Sequence, residues 1–329
     1  HLLTPEGEVR SPVSREAMFV MNNMLFVFFT FLVLVGTVFP LLAEAVRDVK
    51  ISVGEPYFNR LGVPIAIAIV FLMGIGPALP WGKATDKEAL KVLTVPMSVG
   101  FSTAILGAIF GVTQPLPALT LFVSGFAGFV ALRDMAAPVL VRHNRGGVAW
   151  GTAISEAFWR GRRRYGGQIV HLGVAIMAVG IALSSSYQKV AEGVLDAGQT
   201  MMVGDYTLRF DGTRQETHPH RRSTIATMTV QKGGKTVGIL EPRMNHYRMQ
   251  MNPIGTPAVR SSITEDLYLS VMTIDPNGSY VGMRAFVNPA IYWIWIASGI
   301  MLLGCIIAAA PSLLFARAPL PAGAAGARA

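Results

Sequence analysis

Residues 159–187 read W-R-G-R-R-R-Y-G-G-Q-I-V-H-L-G-V-A-I-M-A-V-G-I-A-L-S-S-S-Y. An arginine cluster (Arg160, Arg162, Arg163, Arg164) stands directly before an apolar run. One ionisable residue, His171, sits about one helical turn inside that run. Lys and Arg collect at the cytoplasmic ends of membrane spans. The cluster therefore fixes the direction of this helix and puts His171 toward the cytoplasmic side of the bilayer. A histidine inside a span is costly and is a functional candidate by default.

The whole chain carries the same signature. Of its 329 residues 52% are hydrophobic and only 14% are charged, against roughly 25% charged in soluble domains. The formal charge of +9 follows from Lys and Arg in loops, because the basic patch with interleaved aromatics of a nucleic-acid binder is missing. The one cysteine, Cys305, excludes an intrachain disulfide and a cysteine metal site. His1 is the first residue, and the chain reads as a fragment or one piece of a split protein.

Outward from residues 159–187, an α-helical integral membrane protein with about six spans is expected. Residues 1–17 are a polar cytoplasmic segment, and 18–134 hold four spans at about 18–45, 63–80, 93–113 and 118–132. Asn22, Asn23, Gly36 and Pro40 in the first span suit helix–helix contact. Gly54-Glu55-Pro56 reads as a turn, and Gly74, Gly76, Pro77 and Pro80 suggest a broken or kinked far end of the second span. Gly100 and Gly107 are packing points in the third. Residues 135–166 read as a basic cytoplasmic loop, with a short interfacial helix at 148–159 presenting Trp150, Phe158 and Trp159 to headgroups. The fifth span, within 167–186, carries His171. The sixth, within 290–311, opens on Tyr292, Trp293 and Trp295, an aromatic belt. Residues 312–329 read as a disordered cytoplasmic tail.

Between the last two spans, residues 187–289 form a small periplasmic domain. Residues 202–210 alternate like a strand and end at an Asp211-Gly212 turn. Lys232-Gly233-Gly234-Lys235 and Asp275-Pro276-Asn277-Gly278 each separate two strand-like runs, which are hairpin signals. A small antiparallel sandwich or barrel fits.

Neutral imidazole is a good ligand for haem iron. Gly166, Gly167, Gly173 and Gly180 would admit a flat macrocycle to the helix, and Val174, Ile176 and Met177 are suitably apolar. The alternative is a histidine hydrogen-bonded to a neighbouring helix, and the residues alone leave both open. His218-Pro219-His220 beside Arg221 and Arg222 reads as a solvated loop rather than a metal pair. The runs 241–247 and 262–268 set Arg243, Tyr247, Asp266 and Tyr268 among polar and aromatic neighbours. They are candidate contacts for a haem propionate or a partner chain.

Several stretches then resemble a known family: Ser14-Arg15-Glu16-Ala17, Gly54-Glu55-Pro56-Tyr57-Phe58-Asn59, Gly74-Ile75-Gly76-Pro77, His171-Leu172-Gly173, Glu241-Pro242-Arg243, Asp266-Leu267-Tyr268 and Trp293-Ile294-Trp295. In this order they resemble the C-terminal half of the CcmF/NrfE family, the membrane subunit of the cytochrome c haem lyase. The resemblance implies covalent attachment of haem to apocytochrome c at the outer face of the bacterial inner membrane. It implies that His171 is one axial ligand of a b-type haem that reduces the substrate haem, with electrons from quinol. It places the second ligand and the tryptophan-rich haem-handling segment in the half before residue 1. The implied partners are that N-terminal half or a separate subunit, a haem chaperone, apocytochrome c and its thiol-reducing and holding subunit. Two other readings stand beside it: a secondary transporter, from the Gly/Pro-broken spans, and a membrane-anchored periplasmic binding module without a redox role.

Overall fold

The structure is a computed structural model that describes residues 13–80, 85–250 and 252–310. His1, Lys83 and the tail at 312–329 lie outside the described residues. Six helices are long and apolar enough to cross a membrane: α1 (Arg15–Arg47), α2 (Glu55–Ala78), α3 (Asp86–Ile109), α4 (Pro115–Gly146), α5 (Trp150–Ser186) and α6 (Ile291–Ala309). Ten strands lie between α5 and α6 in the chain. Two compact units divide the molecule. One holds α1 to α3, α4 from Ala118, α5 through Ala175 and α6 from Ala297; the other holds residues 114–117 and 176–296.

In the helical unit, local sequence sets the helix ends. Ser14 caps α1, its Oγ accepting from the Ala17 amide at 3.2 Å. Thr85 and Glu88 form a reciprocal capping box on α3, which satisfies two orphan amides at once. Gly54-Glu55-Pro56 is the start of α2 rather than a free turn, since Gly54 is the extended N-cap and Pro56 lies in the first turn, where its missing N–H costs nothing.

Glycines then fix the packing. A Cβ at Gly36 would lie 2.7 Å from the Phe58 ring, so the close approach of α2 to α1 there depends on glycine. A Cβ at Gly74 would meet the Phe126 ring at 2.5 Å and one at Gly100 the Phe122 carbonyl at 2.8 Å. Both α2 and α3 thereby rest on α4. Each runs as a single helix, α2 through Pro64 and Pro77 to its end at Ala78, before Pro80, and α3 through Pro96. The unwound midplane backbone that motivates a transporter is absent from both.

The expected loop at 135–166 is a correction, although the short helix expected within it at 148–159 is helical from Trp150. The whole segment is helical except at 147–149. Arginine, alanine and leucine favour helix whatever their charge, and Glu156 lies within 4.0 Å of Arg142 and Arg160. The helical segment 150–160 meets the spanning part of α5 at a kink at Gly161, φ −108° and ψ 17°.

The second unit is an antiparallel sandwich. One sheet has the order β1 (Lys189–Asp196), β10 (Tyr280–Pro289), β9 (Glu265–Ile274), β8 (Ala258–Ser261). The other has the order β2 (Thr200–Val203), β3 (Tyr206–His218), β4 (Arg221–Lys232), β6 (Arg243–Tyr247), β7 (Ile254–Thr256), and β5 (Lys235–Leu240) also pairs with β4. Leu208, Phe210, Met228 and Val230 of one sheet meet Leu267, Leu269, Val281 and Met283 of the other in a core with no exposure. The two expected hairpins form, the first through Gly233 and Gly234 at φ +57° and +79°, the backbone a two-residue turn requires.

Two turn signals exchanged roles. The expected strand at 202–210 breaks at Gly204, φ +57°, into the β2–β3 hairpin. Asp211-Gly212 is a bulge instead, and β3 runs on to His218 because its ladder with β4 resumes after Gly212. Arg209 and Thr229 both donate to the Asp211 carboxylate, so its charge is satisfied within the strand.

Candidate functional site

His171 is half-buried on α5. Among the described residues it makes no hydrogen bond, so no neighbouring helix occupies its ring nitrogens. Its face is defined by helical spacing. Arg164, Gln168 and His171 recur at intervals of four and three and lie along one stripe. Asp134 of α4 meets that stripe: Arg164 holds its carboxylate bidentately, with Nε to Oδ2 at 2.9 Å, and Gln168 Nε2 donates to it at 2.9 Å. Tyr165 OH donates to the Met135 carbonyl at 2.7 Å beside them. Two of the Arg164 donors are taken by this pairing, and the clamp fixes the register of α5 against α4 just before the histidine.

Gln168 is 8% exposed, and its Oε1 is buried without a donor. It lies one turn before His171. A metal-bound imidazole needs an acceptor for its other ring N–H, and Gln168 Oε1 is an acceptor of the right kind on the right face.

The glycines around His171 divide into two sets. A Cβ at Gly166 would sit 2.5 Å from the Gly304 carbonyl, and one at Gly173 would sit 3.0 Å from the Ala297 carbonyl. In the other unit Gly180 faces Ile294 and Ala290 in the same way. These three glycines, seven residues apart, are the seam against α6 and do not face a macrocycle. Gly167 is different: a Cβ there would meet nothing within 4 Å. It lies one turn from His171 on nearly the same side, so the helix surface beside the imidazole is small and open. An imidazole free of hydrogen bonds, an open glycine and an orphaned acceptor fit an axial haem ligand. Among the described residues no group of three or more His, Cys, Asp or Glu is placed to hold a bare metal ion. A lone imidazole suits a metal that brings its own macrocycle.

The four sandwich candidates are not brought together. Arg243 and Tyr247 lie on β6 of the six-stranded sheet, and Asp266 and Tyr268 lie on β9 of the other. Asp266 is a structural acceptor, taking Ser261 Oγ at 3.0 Å and the Ser262 amide at 3.3 Å. Tyr268 stacks edge-on against Phe286 at 5.7 Å. Arg243 stands 4.0 Å from Glu216 and lines a cleft of about 540 Å³, while Tyr247 lines a second of about 400 Å³.

An ionic group that the sequence did not single out ties the two sheets together. Lys232 of β4 donates to Glu265 of β9 at 2.5 Å and lies 4.9 Å over the buried Tyr206 ring. Burial opposes ionisation of Glu265, but hydrogen bonds from Lys232 and Tyr206 outweigh it and hold the carboxyl below its ordinary value. A lowered carboxyl pKa contributes stability above the unfolded value of about 4.3, and loses it as pH falls through the folded value. Glu265→Gln should therefore flatten the acid limb of the sandwich's thermal midpoint against pH. At neutral pH it should cost about 1 kcal/mol, a figure kept low because Lys232 is 40% exposed and its charge is solvent-screened. An unchanged acid limb would remove the network from the stability account.

With this geometry in hand, three comparisons converge. A family model described as the CcmF C-terminal beta-sandwich matches residues 186–289. Over about nine-tenths of its length the chain is similar to the C-terminal half of CcmF. The cytochrome c-type biogenesis protein CcmF of Pseudomonas aeruginosa is 29% identical over 297 residues, 90% of this chain and 44% of the relative. CcmF of Escherichia coli K12 is 27% identical over 89% of the chain and 43% of the relative. A solved structure titled cytochrome c heme lyase CcmF superposes with a TM-score of 0.73 and 26% identity, over 92% of this chain and 46% of that one. The chain thus spans less than half the length of the relatives it matches. Together with six span-length helices, the likeness makes it a multi-pass membrane protein with the CcmF-type sandwich between its last two helices.

Proposed function

We propose that this chain is the C-terminal part of a cytochrome c haem lyase of the CcmF/NrfE type, and that His171 is an axial ligand of a b-type haem in the membrane. The observation that carries the reading is the His171 imidazole, free of protein hydrogen bonds and flanked by Gly167 and Gln168, in a chain similar to CcmF along nearly its whole length. A bound b-type haem supplies one-electron transfer, here from quinol toward the haem being attached. The residues of this chain do the rest. His171 would hold the haem iron, Gln168 Oε1 would be the acceptor available to its other ring N–H, and the Asp134–Arg164 clamp keeps α5 in register. The second ligand comes from the rest of the lyase.

The arginine cluster supports an orientation with the N-terminal end of α5 in the cytoplasm of a bacterium and the sandwich in the periplasm. On that orientation the sandwich meets the periplasmic partners: apocytochrome c, its thiol-reducing and holding subunit, and the haem chaperone. The test is the absorption spectrum of the chain purified with the N-terminal half of the lyase. A Soret band with reduced b-type haem bands is expected. Its absence from an assembled, folded complex would overturn the haem reading and leave an anchored binding module.

A further inference from the structure

The end of the sandwich opposite the β2–β3 hairpin carries arginines of which some have no ion pair among the described residues. In its own unit, α5 ends near Lys189, whose side chain lies against Gly204 at the start of the β2–β3 hairpin. From there β3 and β4 run to a tip at residues 218–221, about 40 Å away at 3.3 Å per residue. Around that tip Glu216 and Glu241 both pair with Arg214 at 2.9 Å, and Arg243 reaches Glu216 at 4.0 Å. Both acids are thereby taken. Arg221 and Arg248 have no ion pair among the described residues. Each lines a cleft: Arg221 shares the one of about 540 Å³ with Arg243 and Thr256, and Arg248 shares the one of about 400 Å³ with His220 and Tyr247.

Register joins the two clefts. Arg221 pairs with Tyr247 and Ile225 with Arg243, so Arg221 and Arg243 share one face of the sheet, four residues or about 13 Å apart along the strand. Beneath them Asn245, 1% exposed, is saturated by Ser223 Oγ at 2.6 Å and Thr256 Oγ1 at 2.7 Å. The floor is rigid and the arginines stand above it. The third residue set on this rim, β7, is exposed at every position and, among the described residues, pairs with β6.

The geometry points to a docking track for an extended acidic segment of a partner protein, with carboxylates about four residues apart and seated on Arg221 and Arg243. Carboxylates match the guanidinium fork, and about 13 Å is the distance between residues four apart in an extended chain. The inference deepens the reading of the sandwich as a docking module and does not depend on His171.

The test uses the full chain in nanodiscs and a short fluorescein-labelled peptide of threonine and valine with two glutamates four residues apart, followed by anisotropy. Binding should weaken about tenfold or more in Arg221→Glu, survive in Arg221→Lys, weaken at high salt and be unaffected by Lys235→Glu at the opposite end of the sandwich. A peptide with both glutamates replaced by glutamine leaves the protein untouched and should bind as weakly as Arg221→Glu does. Equal binding of the glutamate and glutamine peptides would overturn the proposal. So would a Lys235→Glu loss as large as that of Arg221→Glu. It would also fail if mesoporphyrin, a free dicarboxylate, bound in an Arg221-dependent way while the peptide did not. Loss of the haem spectrum with peptide binding intact would refute the His171 assignment alone.

Discussion

His171→Ala is expected to remove b-type haem from the assembled lyase, lowering the reduced-haem absorbance at least about tenfold at unchanged protein level. The argument is one of accounting. An imidazole in a spanning helix is retained at a cost of a few kcal/mol, and a structural role would show as a hydrogen bond to a neighbouring helix. None exists among the described residues. The polar groups around it have other tasks: Asp134 is consumed by Arg164 and Gln168, and Arg164 by Asp134. Alanine fits the site without a clash and keeps α5 helical, so the fold should survive and only the ligand should go. His171→Gly with added imidazole should restore part of the absorbance, since Gly167 already leaves the adjacent surface open. Gln168→Leu should act more mildly, shifting the haem midpoint potential while retaining the absorbance, because it removes an acceptor behind the ligand. A His171→Ala complex with an undiminished spectrum would move the ligand elsewhere.

The helices and the sandwich were legible because each rests on a local signal. Apolar length gave all six spans, and the Lys232–Lys235 and Asp275–Gly278 turns gave the right hairpins. What failed depended on partners distant in sequence. Charge made 135–166 look like a loop, but helix propensity and the Glu156 pairs keep it helical. Gly204 and Gly212 are equally good turn residues in isolation, and only the β3–β4 ladder decides which one turns and which one bulges. At the site, His171 was visible because a histidine inside an apolar run is rare. Its surroundings were not. The acidic Asp134 lies on another helix, and nothing in the spacing of Arg164 and Gln168 says that they meet it. The glycines of residues 166–180 all looked alike as access for a macrocycle, whereas three of them face α6 and one faces open space. Arg243 was flagged as a charge among polar and aromatic neighbours, while Arg221, like Arg248 without an ion pair among the described residues, needed the ion pairs of its whole neighbourhood to stand out.

That division of the glycines makes a pair of adjacent substitutions with opposite expected results. Gly166→Ala puts a Cβ 2.5 Å from the Gly304 carbonyl and 2.7 Å from the Ala308 amide. Both are backbone atoms, which no rotamer change can move aside, so α5 and α6 must separate along the seam. Small residues at such seams are what lets two membrane helices approach closely, and overpacking of this kind costs about 1–3 kcal/mol for one methyl, more for leucine. Gly304→Ala meets the same obstacle from the other side, 2.7 Å from the Gly166 carbonyl, and the two changes together should cost less than their sum once the helices have parted. Gly167→Ala is the control built into the sequence. Its Cβ meets nothing within 4 Å, and replacing glycine inside a helix gains up to about 1 kcal/mol. In detergent, the thermal midpoint should fall for Gly166→Ala and Gly304→Ala and hold or rise for Gly167→Ala. Gly166→Leu should fail to give folded protein, and Gly167→Leu should fold but bind less haem, because its side chain would fill the surface beside His171. If Gly166→Ala and Gly167→Ala proved equally stable, the α5–α6 seam would not run through Gly166, and the open side of the helix would no longer be assigned to His171.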